Sequence, residues 1–148
     1  MIFRSLVCLP FIGMLSTCDS PYKKSDEAER KPLKYQAKDQ SFQAFVGRLK
    51  IAVAKKDRAV LASMMASDFG YRWDNPPPNE VVFDYWDQHN VWPEISQILR
   101  QKFEAKDLYM VAPPEVITNP DYSGYRAGMR IVSGSWRFAY FVPGEPAQ

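Results

Sequence analysis

Residues 125–142 read YRAGMRIVSGSWRFAYFV, two runs of alternating side chains on either side of Ser133-Gly134-Ser135. Successive side chains of a strand point to opposite faces, and a small, glycine-bearing break between two such runs folds them into a hairpin. Tyr125, Ala127, Met129 and Ile131 alternate with Arg126 and Arg130, while Trp136, Phe138 and Tyr140 alternate with Arg137 and Ala139. One face is therefore expected to pack and the other to meet water. A lone hairpin is marginal in water, so the rest of the chain has to cover the apolar face.

The segments that supply this cover lie upstream. Phe42, Phe45, Val46, Leu49, Ala52 and Val53 recur at helical spacing, with Asp39 or Ser41 available as the cap. Asp57 can cap a second helix with Val60, Leu61, Met64 and Met65 on one face. The aromatic, alternating stretch Phe69 to Trp73 reads as a strand, and Pro76 to Pro78 enforce an extended loop. Asn79 is placed to cap a third helix carrying Val82, Tyr85, Trp86 and His89 on one face. Pro93 suits the first turn of a fourth, with Ile95, Ile98, Leu99 and Phe103. LYMVAPP at 108–114 reads as a strand ended by its two prolines. Helices first and an antiparallel sheet last is an α+β order, expected as one domain over residues 39–148.

This order, ending on Gly134-Ser135-Trp136-Arg137-Phe138, resembles the NTF2-like, cystatin-like cone folds over residues 40–143. The resemblance implies a helical hairpin lying across a curved antiparallel sheet and a conical pocket. It implies no particular ligand, because a fold does not fix a function.

Ahead of the domain the composition changes twice. Residues 1–17 carry Arg4, then an apolar run from Ser5 to Leu15, then small polar residues, the pattern of an export signal. The apolar run is too short to span a bilayer, which takes about 20 residues, and contains Pro10 and Gly13. Leu15-Ser16-Thr17-Cys18 resembles the lipobox of bacterial lipoproteins. That resemblance implies lipid attachment at Cys18: a diacylglycerol on the thiol and a fatty acyl chain, such as palmitate, on the freed amine. It also implies a place in the cell envelope, on the periplasmic side of a membrane. Asp19 resembles the inner-membrane retention signal of some bacteria, and inner versus outer membrane stays open. The alternative is an incidental cysteine near an ordinary signal-peptidase site. Residues 18–38 are charged, contain Pro21 and Pro32 and have almost no aliphatic content, so they read as a disordered tether. A flexible coil of about 20 residues places the domain about 25 Å from the bilayer.

The site chemistry is bounded by what is scarce. Arg4 is the one charge before Cys18, which leaves 17 acids against one more base than that, without the large basic excess of a nucleic-acid binder. Both cysteines lie in the first 18 residues and His89 is the only histidine, which excludes a thiolate or multi-histidine metal centre in the domain. No cofactor or metal is expected, and no nucleophile motif or phosphate loop is present. The aromatic cluster Tyr71, Trp73, Tyr85, Trp86 and His89 is the candidate pocket or interface, since exposed Trp and Tyr anchor partners well. The same spacing also serves a core helix. Arg126, Arg130 and Arg137 read as the wet side of the hairpin. Asp84 and Asp87 are expected to be solvated, away from His89. Two functions follow. The first is a lipid-anchored domain that binds an envelope protein or a small apolar ligand. The second is a tethered proton-transfer enzyme of isomerase or dehydratase type, using a buried carboxylate with or without His89. A carboxylate or His89 aimed into a closed apolar cavity favours the enzyme; a filled core favours binding.

Overall fold

The computed structural model describes residues 39–144. The export signal, Cys18 and the tether lie outside this range. Helix α1, Gln40–Lys55, starts at Asp39, whose carboxylate accepts from Ser41 N, and turns at Lys56, which takes a left-handed conformation. Helix α2, Arg58–Met64, is capped by Asp57 through Val60 N. Both caps supply a missing acceptor to an orphan N–H of the first turn. Phe42, Phe45, Val46, Leu49, Ala52, Val53, Leu61 and Met64 are buried as the periodicity requires, whereas Val60 is exposed.

Strand β1 is Met65–Gly70, so it begins directly where α2 stops. The strand expected at Phe69 to Trp73 is thus displaced, and only Phe69 and Gly70 belong to it. No proline or glycine separates Met64 from Met65, and the junction is set by packing rather than by a breaker. Helix α3, Val82–Gln88, has Val81 as its cap without a side-chain bond. Asn79 is no cap; it sits at φ 70 in the turn before the helix. Helix α4, Trp92–Ile98, carries Pro93 in its first turn, and Phe103 is buried beyond its end.

Strands β2, Glu104–Lys106, and β3, Tyr109–Ala112, form a tight hairpin through Asp107 and Leu108, followed by the short helix α5, Glu115–Thr118. Strands β4, Arg126–Val132, and β5, Ser135–Val142, make the long hairpin, and Ser133 and Gly134 at φ 49 and 77 are its turn. Two adjacent positive φ values match the twist of paired strands. The result is a curved, open five-stranded sheet in the order β1-β5-β4-β3-β2. β1 runs parallel to β5, so the sheet is mixed rather than antiparallel.

The helices cover one face of this sheet. Phe42, Leu49, Leu61, Trp86, Ile95 and Leu99 from the helices meet Met110, Met129, Phe138 and Phe141 from the strands, all with no more than traces of exposure. Each fully buried apolar side chain of this size contributes about 1.5–3 kcal/mol. Among the described residues every buried one lies between Phe42 and Val142, so the chain from Asp19 onward contains this core. Among the described residues, no helix is long and apolar enough to cross a membrane.

Candidate functional site on the outer face of the sheet

The expected clean division of the hairpin into a packed and a wet face does not hold. The β4–β5 register shifts between Gly128 and Met129: Gly128 faces Tyr140, whereas Met129 faces Phe138. Ala139 is therefore the extra residue of a β-bulge, and a bulge re-aims the side chains that follow it. Trp136 and Phe138 stay in the core, Phe141 replaces Tyr140 there, and Tyr140 turns to the opposite face.

On that outer face, Val111, Gly128, Tyr140 and Gly70 form one row across four strands. The two glycines make room for the ring between them. A Cβ on Gly128 would come within 2.1 Å of Tyr140 Cε1, and one on Gly70 within 3.4 Å of Tyr140 Cβ. The phenol lies over the Gly128 backbone and meets Tyr109 edge-on at 5.5 Å between centroids. Val111, Ala139 and Val142 are almost fully buried although they face away from the helices. Burial from water pushes the Tyr140 hydroxyl up to about 12, with Tyr109 adding to the rise and Arg126 opposing it. It is therefore a proton donor at neutral pH.

This face forms a groove of about 400 Å³ with Val111, Val142 and Tyr140 on its floor and Trp73, Val116, Tyr109, Lys106 and Arg126 around it. Trp73 is 47% exposed and is pinned by its indole N–H, which donates to Pro143 O at 2.8 Å. The arginines of the sheet and of the loop after β1 differ in how they are satisfied. Arg72 donates to Asp74 and to both Glu80 oxygens. Arg130 binds Asp68 in a fork at 2.7 and 2.8 Å, and this hydrogen-bonded guanidinium holds the Asp68 carboxyl below its usual range. Arg137 donates to Ser63 O at 2.6 Å. Among the described residues Arg126 meets no carboxylate: its Nη2 donates to Tyr122 O at 2.7 Å, and its buried Nε finds no partner.

The five aromatic residues singled out in the sequence part company. Trp73 belongs to the groove. Trp86 has no exposure, is core rather than pocket or interface, and its Nε1 finds no partner. Tyr71, Tyr85 and His89 form a separate ladder: Tyr71 meets Tyr85 at 5.3 Å, and His89 stacks on Tyr85 at 4.1 Å between centroids. Tyr71 donates to Glu80 at 2.7 Å, and the Arg72 guanidinium sits 5.3 Å from the Tyr85 ring. Burial, then the bond to Glu80, pushes Tyr71 up to about 12. His89 is exposed at the end of α3. Asp84 and Asp87 are exposed and away from His89, and both bind Arg58. Asp87 also accepts from Trp92 Nε1 at 2.6 Å. Among the described residues no charged side chain is buried, so no carboxylate faces an enclosed apolar cavity.

A second cavity, about 420 Å³, lies between the start of α1 and the hairpin turn, beside Phe45, Arg48, Trp136 and Arg137. Sequence reasoning missed Tyr109, Val111, Val116, Tyr140 and Val142 as site residues. The signal was faint: glycine at 128 opposite an aromatic run, and alternation that fails after Tyr140, where Phe141 and Val142 follow. No family model matches the chain, and neither a curated protein nor a solved structure matches it.

Proposed function

We propose that this chain is a non-catalytic, lipid-anchored envelope protein whose domain binds a small ligand in the groove on the outer face of its sheet. The observation that carries the binding reading is the row Val111, Gly128, Tyr140 and Gly70, in which the bare backbone of Gly128 admits one phenol into a lined hollow rather than a filled surface. A hollow of about 400 Å³ with an apolar floor and a few polar groups at its edge is the ordinary form of a small-molecule site. The filled core between helices and sheet removes the cone interior as the ligand's place and favours binding over proton transfer. Helical hairpin, curved sheet and Gly134-to-Phe138 strand support an NTF2-like reading, with the ligand on the unexpected face.

The anchoring half rests on Leu15-Ser16-Thr17-Cys18 and the polar stretch behind it. Two or more acyl chains hold a protein stably on a bilayer, since each buried CH₂ contributes about 0.8 kcal/mol. Mass spectrometry of the mature N-terminus is expected to find acylated Cys18, and Cys18→Ser to abolish the modification. An unmodified Cys18 or another N-terminus rules the anchor out. The groove is tested separately on the chain from Asp19 onward, with the neutral fluorophore phenylnaphthylamine. Binding is expected, and Val116→Trp, which fills the groove from α5, is expected to abolish it without loss of thermal stability. Equal binding by both chains would exclude the groove.

A further inference from the structure

We propose that the groove's ligand is a compact organic anion: Arg126 receives its carboxylate, sulfonate or phosphate, and its apolar or aromatic body lies on Val111, Val142 and Tyr140. The inference rests on the binding reading above and names the chemistry of that site.

Arg126 differs from its neighbours Arg72 and Arg130 in what it holds. Arg72 and Arg130 each hold carboxylates of this chain, whereas Arg126 forms no ion pair among the described residues. Its Nε is shut away from water and unpartnered. A guanidinium presents five N–H donors in a rigid fork that matches a carboxylate or phosphate through paired bonds. With Nη2 committed to Tyr122 O, the guanidinium lines the groove without an ion pair among the described residues.

The cation is also held in place before any ligand arrives. The Tyr122 ring lies 5.6 Å from the guanidinium, and the Tyr122 hydroxyl donates to Tyr125 O at 2.8 Å, which folds that ring back over Gly124. A Cβ at Gly124 would stand 2.5 Å from the Tyr122 hydroxyl, so the glycine permits the brace. Such preorganisation lowers the ordering cost of binding. Lys106 adds a second positive group, and Asp107 in the adjacent turn is the acid of the lining. The protonated Tyr140 phenol supplies another donor. A cationic ligand would meet Arg126 and Lys106 with Asp107 alone to receive it. An anion meets donors on both sides of an apolar floor. The volume suits a single ring system or a short chain, whether a soluble aromatic acid or an acid released from lipid.

Two dyes that share a ring system separate the claims: anilinonaphthalene sulfonate carries the anion and phenylnaphthylamine does not. Both are titrated into the chain from Asp19 onward by fluorescence. The sulfonate is expected to bind about tenfold to a hundredfold tighter, the equivalent of one charge-assisted hydrogen-bond pair. Arg126→Gln is expected to remove that advantage and leave phenylnaphthylamine unchanged, and Arg126→Lys, which keeps charge without the fork, to fall between. Equal binding of the two dyes, unaltered in both variants, overturns the anion assignment while the groove stands. Failure of both dyes to bind overturns the groove reading and this inference with it. Naphthoate and decanoate then compete against bound sulfonate: displacement by the first identifies an aromatic acid and by the second an acyl acid. Displacement by neither overturns the proposal.

Discussion

At the scale of single residues, the site depends on one phenol and the two glycines beside it. Gly128→Ala drives a methyl group into the Tyr140 ring, which can yield only by swinging into the groove. The expected cost is about 1 kcal/mol in urea unfolding, at the low end for overpacking because a side chain rather than backbone gives way. The same variant should lose groove binding, and retention of full affinity would mean that Tyr140 is not the floor. Tyr140 and Tyr71 also set an alkaline limit. Each phenol is pushed from 10.0 up to about 12 in the folded chain, so folding retains protons that the unfolded chain releases. Their contribution is fully present below pH 10 and is lost as pH rises from 10 to about 12. Urea midpoints across that range should fall, and Tyr140→Phe should flatten the fall. Superimposable curves for the two chains would place the titration elsewhere.

At the scale of elements, the hairpin sorts its residues by face up to the bulge. Trp136 is 9% exposed and meets Phe42 at 4.7 Å between ring centroids, so Trp136→Ala should cost about 3–5 kcal/mol. Arg137, the next residue, turns to the other face and donates to Ser63 O. Arg137→Ala should cost about 1 kcal/mol. Similar small losses at both positions in denaturant titrations would contradict the face assignment. The helices, their Asp39 and Asp57 caps and the long hairpin were legible because each is specified by residues close in sequence. β1 was misplaced because its partner β5 is remote in the chain and its start at Met65 has no local breaker. β2 escaped because three residues, Glu104, Ala105 and Lys106, hold no alternation to read. The bulge escaped because Trp136, Phe138 and Tyr140 alternate perfectly in sequence, and only the pairing with Gly128 and Met129 reveals the extra residue.

At the scale of the whole molecule, the domain keeps helices α1 to α4 on one face of the sheet and leaves on the other a lined groove whose guanidinium has no ion pair among the described residues. The sequence marked Arg126 as a solvated arginine of a wet face and marked Tyr71, Trp73, Tyr85, Trp86 and His89 as the site, of which Trp73 alone lines the groove. That Arg72 and Arg130 meet carboxylates while Arg126 meets none among the described residues is a tertiary fact, decided by where Asp68, Asp74 and Glu80 come to lie. The most direct test of the account is the ¹H–¹⁵N correlation spectrum of the chain from Asp19 onward, with and without anilinonaphthalene sulfonate. Saturable shifts are predicted at Gly70, the Trp73 indole, Tyr109, Val111, the Arg126 side chain and Tyr140. Shifts confined to Phe45, Arg48 and Trp136 at the other cavity, or to Tyr71, Tyr85 and His89, would contradict it.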